Sequence, residues 1–132
     1  MITVIDTNAA IAMALGRSNS NIVADALENS KWVVAPSIYL YEISNVMWKY
    51  FRLGSITQDI LKDKVIECAG LIDEYIPASA LYEEAFNLAC QLDYTAYDTA
   101  YLVTCLRKRA KLLSFDKHML IAAEKLHIQC HS

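Results

Sequence analysis

The chain has 132 residues, of which 55% are hydrophobic and 20% charged, with a formal net charge of −3 at pH 7. That length suits one compact domain, residues 1–132, and the composition excludes intrinsic disorder as well as collagen-like or low-complexity structure. The slightly acidic balance argues against coating nucleic acid by charge alone, although a bound cation can supply the missing positive charge.

The longest apolar stretches, such as residues 9–15, fall far short of the roughly 20 residues a membrane helix needs. Met1-Ile2-Thr3-Val4-Ile5-Asp6 has no basic segment ahead of its apolar run, so no secretory leader is expected. These features predict a soluble, cytoplasmic protein. Cys68, Cys90, Cys105 and Cys130 form no C-x-x-C pair and sit mostly in apolar helical patterns. They are expected as buried free thiols.

In chain order, residues 2–5 form a β-branched run that predicts a buried strand, and residues 8–15 and 20–28 predict two short helices. Residues 32–35 predict a second strand, stopped by Pro36. Ser37 is then placed to cap a helix running to about Arg52, with Gly54 near its end. From Thr57 to about Asp73, Ile60, Leu61, Val65, Ile66, Ala69 and Ile72 keep a helical period. Tyr75-Ile76 before Pro77 predicts a very short strand. Helices over 79–92 and 96–109, a strand over 112–115, a helix over 117–126 and a last strand over 128–130 complete the pattern. Short apolar strands alternating with helices predict an α/β fold of three layers, α/β/α, around a short-stranded parallel central sheet.

In such folds ligands sit beyond the carboxyl ends of the strands, which directs attention to four acids. Asp6 follows the first predicted strand and Asp116 follows the 112–115 strand; each precedes a helix and could simply be its N-cap. Asp98 stands three residues after Thr95, a capping-box spacing. Glu42 shares a helical face with Asn45 and Lys49, the pattern of a plain solvated face. Taken together, though, the four acids can converge on one pocket. Clustered carboxylates raise one another's pKa, and a divalent cation removes that cost. Hard oxygen donors without nearby His or Cys favour Mg2+ or Mn2+ over zinc. His118, His127 and His131 lack ligand spacing and are expected on the surface.

Four segments, in order, resemble the PIN-domain ribonucleases, and within them the VapC-like toxins: Val4-Ile5-Asp6-Thr7-Asn8, Pro36-Ser37-Ile38-Tyr39-Leu40-Tyr41-Glu42, Tyr97-Asp98-Thr99-Ala100-Tyr101-Leu102 and Leu112-Leu113-Ser114-Phe115-Asp116. The resemblance implies that Asp6, Glu42 and Asp98 hold the principal metal, Mg2+ or Mn2+, and that Asp116 completes the acidic ring or helps a second ion. It also implies that Thr7, Asn8 and Ser114 orient ligands or waters. Ser114 departs from the threonine common in the family but keeps the hydroxyl. The implied activity is endonucleolytic cleavage of RNA by metal-activated water, leaving 5′-phosphate and 3′-hydroxyl ends. The implied partners are a small antitoxin whose C-terminal segment covers the acidic groove and a second copy in a homodimer.

Arg107, Lys108, Arg109 and Lys111 form a basic cluster. It is read either as favourable charge at a helix C-terminus or as a set of contacts to RNA phosphates away from the metal. Lys49 and Arg52 carry the same two readings. Tyr94, Tyr97 and Tyr101 recur at helical spacing and are expected to pack in the core or an interface. A haloacid-dehalogenase-like phosphatase needs a second Asp at position 8, where Asn stands. A response-regulator receiver needs a phosphoacceptor Asp on a central strand, and 32–36 offers none. A stand-alone RNA-processing nuclease and a non-catalytic binding scaffold are the other readings; the scaffold would be marked by loss of an acid.

Overall fold

In the computed structural model, residues 1–131 are described. Four strands, β1 (Ile2–Ile5), β2 (Trp32–Pro36), β3 (Glu74–Ile76) and β4 (Lys111–Leu113), form one sheet in the order β3-β2-β1-β4, and every pairing is parallel. Val4 pairs with Val34 on one side and with Leu112 on the other. The strands are apolar nearly end to end because both faces of the sheet are covered, and Val4, Ile5, Val34, Ala35, Leu112 and Leu113 are buried.

Among the described residues six helices connect the strands, α1 (Thr7–Ala14), α2 (Ser20–Glu28), α3 (Ile38–Leu53), α4 (Gln58–Gly70), α5 (Ala78–Leu92) and α6 (Ala96–Lys108), and α7 (Lys117–Lys125) follows β4. Right-handed crossovers place α1 to α4 over one face and α5 and α6 over the other, since the chain moves outward from β1 to β3 and then back across to β4. The contacts agree: α1 packs on α2, α3 and α4, whereas α6 packs on α5 and on β1, β2 and β4. The strand order therefore reverses between β1 and β4. Their carboxyl ends open toward the crevice where α/β sheets bind ligands.

Several local expectations are corrected. Pro36 does not stop β2 but pairs with Ile76. Alternate residues of a strand point to opposite neighbours; Ser37 N–H donates to Ile76 O at 2.9 Å on the β3 side. The missing N–H of Pro36 thus faces β1, whose pairing with β2 has already ended at Val4 and Val34. Ser37 does not cap α3. Its backbone is already helical, and its Oγ accepts from Ala78 N–H at 3.0 Å, at the start of α5.

Strand β4 ends at Leu113, so Ser114 and Phe115 separate it from Asp116. The expected last strand is reduced to an isolated bridge between Leu112 and Cys130. Along α4, Leu61 and Cys68 are buried but Ile60 and Ile66 are exposed. Cys68 and Cys105 are buried and Cys130 half-buried, as free thiols, but Cys90 is exposed on α5. His131 is half-buried, with Nε2 within 2.9 Å of Thr3 Oγ1, while His118 and His127 are exposed. No helix among the described residues is long and apolar enough to cross a membrane.

Candidate active site

Asp6 is the first residue past β1 and the N-cap of α1. Its Oδ1 accepts from Ala9 N–H at 2.9 Å, one of the donors a helix start leaves without an intrahelical partner. Its Oδ2 accepts from the Ser114 hydroxyl, just past β4. The expected cap is real, but it fixes a carboxylate that is almost wholly buried at the point where the strand order reverses. Burial pushes the Asp6 carboxyl up to about 6, and the negative charges of Asp116 and Glu42 add to that. The hydrogen bonds from Ser114 and Ala9 work in the opposite direction.

The other three acids reach the same place from three further elements. Asp116 is the N-cap of α7, with Oδ1 accepting from His118 N–H at 2.9 Å and its own N–H donating to Ser114 Oγ at 3.1 Å. The Ser114 hydroxyl thus ties the Asp6 and Asp116 loops together. Asp98 lies in the first turn of α6, where its N–H donates to the side chain of the N-cap Thr95 at 3.2 Å. Desolvation and the charge of Asp116 both raise the Asp98 carboxyl pKa. Glu42 comes from α3. Its Oε1 accepts from Thr7 Oγ1 at 3.0 Å and from Tyr101 OH at 2.6 Å, and those two hydroxyls lie 2.9 Å apart. With one proton each, both hydroxyls can serve the carboxylate. Burial and the Glu42 charge hold the Tyr101 phenol far above its ordinary pKa, so it remains a donor.

Asp6, Thr7, Glu42, Asp98, Tyr101 and Asp116 line one cavity of about 240 Å3, together with Asn8, Asn45, Val46, Lys49 and Met119. The face of α3 carrying Glu42, Asn45 and Lys49 is therefore a cavity wall rather than a plain solvated surface. An adjoining open groove of about 560 Å3 shares Glu42 and Asn45 with it and is flanked by the exposed rings of Tyr41, Trp48 and Tyr97. Tyr101, expected only as packing, belongs to the site. The available signal was its position three residues after Asp98, on the same side of one helix. Tyr97 is exposed, so it does not pack in the core of this chain.

The basic cluster is elsewhere. Arg107 pairs with Glu84, and Lys108 Nζ lies 2.9 Å from Glu74 Oε2. Arg109 is the exposed C-cap of α6. All three lie at the opposite end of α6 from Asp98, about 15 Å along the axis.

Among the described residues lining the cavity, four carboxylates face a single cation, Lys49. As the side chains stand, no three acidic, His or Cys groups among the described residues are drawn together tightly enough to hold an ion. The donors nonetheless suit a hard divalent ion: they are oxygens from four different elements, with no thiol or imidazole among the described residues of the wall.

Comparison with known proteins agrees with this arrangement. Residues 3–125 match the family model described as the PIN domain. The chain is 25% identical over 122 residues to ribonuclease VapC3 of Pyrobaculum aerophilum, covering 88% of this chain and 90% of that protein. Its fold matches the crystal structure of PAE2754 from Pyrobaculum aerophilum with a TM-score of 0.73, at 19% identity, over 92% of this chain and 79% of that one. It also matches a toxin–antitoxin complex from Klebsiella pneumoniae with a TM-score of 0.64, at 19% identity, over 86% of each chain. Since the family match runs from the first strand into the last helix and takes in every acid of the cavity, the chain belongs to the PIN domain family.

Proposed function

We propose that residues 1–132 act as one nuclease domain, a divalent-metal-dependent endoribonuclease, and that it is the toxin of a toxin–antitoxin pair. The observation that carries the nuclease reading is the meeting of Asp6, Glu42, Asp98 and Asp116 in one polar cavity at the switch point of the sheet. Likeness to a ribonuclease in the same family supports it. In this reading the four carboxylates hold Mg2+ or Mn2+. The bound ion supplies Lewis acidity toward a phosphodiester oxygen and lowers the pKa of an attacking water.

The chain's own residues hold two of those carboxylates in place. Ser114 and Ala9 N–H fix the two oxygens of Asp6, and Thr7 and Tyr101 fix Oε1 of Glu42. Such outer hydrogen bonds typically affect metal affinity or activity about 10–100-fold. Asn8 stands at the cavity's exposed lip. The adjoining aromatic groove supplies an approach for an unpaired strand, since exposed rings can stack on bases. Arg107, Lys108 and Arg109 would meet only phosphates remote from the cut.

Similarity to a structure described as a toxin–antitoxin complex supports an antitoxin partner. So do the exposed apolar side chains of Tyr41, Trp48, Phe51 and Leu53 on α3, and of Tyr82 and Phe86 on α5, which offer surface for an antitoxin segment or a second copy.

The test is cleavage of a mixed tRNA and rRNA pool with Mg2+ or Mn2+ against EDTA, with Asp98→Asn as the control for contaminating nuclease. Metal-dependent cutting that disappears in the variant is expected. Equal cutting by a folded Asp98→Asn protein overturns the assignment.

A further inference from the structure

Lys49 is the member of the cavity wall that the metal site leaves unexplained. It lies on α3 seven residues after Glu42 and four after Asn45, so all three share one face of the helix, and all three line the acidic cavity. Four carboxylates line the same cavity, yet among the described residues Lys49 forms an ion pair with none of them. A cation that faces four acids without closing on any of them is poorly explained as their counter-ion. A flexible ammonium carrying three donors, held beside the place where an ion would sit, suits a second anion that arrives with the substrate.

We propose that Lys49 binds a phosphate of the RNA backbone at the cavity, so that the site holds its substrate through one ammonium as well as through the ion. The inference rests on the nuclease reading above, which says what enters the cavity. It makes two demands of opposite sign on one side chain. Against a divalent cation, Lys49 is a like charge and opposes binding; toward a phosphodiester it is the attracting group. A residue that only neutralises the acids, or only dissolves in water, does not satisfy both.

The experiment compares Lys49→Met and Lys49→Arg with the parent protein, and adds Arg107→Met as a cation removed from the far end of α6. The Lys49 side chain is exposed on the helix surface, so its loss leaves the core intact, and circular dichroism confirms that each variant is folded. Binding of a fluorescently labelled single-stranded RNA is followed by anisotropy in Mg2+, in an Asp98→Asn background that holds off cleavage. Mn2+ binding is measured by calorimetry on proteins with all four acids intact.

Lys49→Met is expected to weaken RNA binding about tenfold, the loss of one charge-assisted hydrogen bond. It should also flatten the dependence of log affinity on log salt by about 0.7, the value for one phosphate contact on a single strand. The same variant should bind Mn2+ more tightly than the parent. Lys49→Arg should restore RNA binding, and Arg107→Met should change neither quantity more than about twofold.

Tighter Mn2+ with unchanged RNA affinity would make Lys49 a counter-charge only and overturn the proposal. Unchanged values for both ligands, or no RNA binding by the protein that retains Lys49, would overturn it as well. The nuclease reading fails separately, if the protein with all four acids and Lys49 binds RNA as described but cuts none in Mn2+.

Discussion

At the start of α6, Asp98 shares a cavity with three other carboxylates and one unpaired lysine. At the end of the same helix, Arg107 and Lys108 are matched one to one with Glu84 and Glu74. The consequences for the acids are opposite. Glu74 and Glu84 are held below the ordinary carboxylate range by their basic partners, whereas Asp6 and Asp98 are held above it by burial and by each other's neighbours. Charge that is paired and exposed adds little to stability and asks nothing more of its surroundings. Like charge gathered in a half-closed cavity costs the fold free energy until a cation arrives, and strongly perturbed groups of that kind mark functional sites. One helix thus carries gathered, perturbed acid at one end and paired charge at the other.

The sharpest way to break this contrast is to remove an acid at each end. Asp98→Asn or Asp6→Asn should lower RNA cleavage at least ~100-fold in saturating Mg2+, while Glu84→Gln should leave the rate within about twofold; similar losses at both ends in a gel-based cleavage assay would erase the distinction. The second test uses pH. The folded-state pKa of Asp6 is raised from 3.8 to about 6, so above pH 6 its buried charge penalises the folded state. As the pH falls through 6 the folded protein takes up a proton that the unfolded chain does not bind until near 3.8. Metal-free protein in EDTA should therefore gain stability between about pH 6.5 and 4.5, by about 2 kcal/mol. Asp6→Asn should carry most of that gain already at pH 7.5. Thermal melts that fall steadily over this range in the parent protein would contradict it.

Two smaller effects sharpen the picture. Tyr101→Phe removes a donor from Glu42 and should slow cleavage about tenfold, with a stability loss of about 1–2 kcal/mol in urea titrations. Arg107→Met and Lys108→Met should each cost less than about 1 kcal/mol in the same titrations, because the first pair is exposed and the second only half-buried.

The four acids were legible because each stands beside a strand or in a helix that local sequence defines well. Val4-Ile5 and Leu112-Leu113 place Asp6 and Asp116 at one sheet edge before any tertiary contact is known. The sheet order that brings those two ends together depends on crossover handedness and could be anticipated only as a rule. Tyr101 and Lys49 were harder, because helical spacing says which residues share a face and not what lies opposite. The polar face of α3 looks the same in sequence whether it meets water or a ring of carboxylates. Ser37 misled for a similar reason: it has the chemistry of a cap, but the N–H it serves belongs to Ala78, 41 residues away.

The most direct test of the central claim is calorimetric titration of Mn2+ into the parent protein and into Asp6→Asn, Glu42→Gln, Asp98→Asn and Asp116→Asn, alongside their RNA cleavage rates. If the four carboxylates form one metal site, the parent binds the ion, each substitution weakens it, and affinity and cleavage fall together. A folded parent protein that cuts RNA equally well in EDTA, or Mn2+ affinity indifferent to all four substitutions, would contradict it.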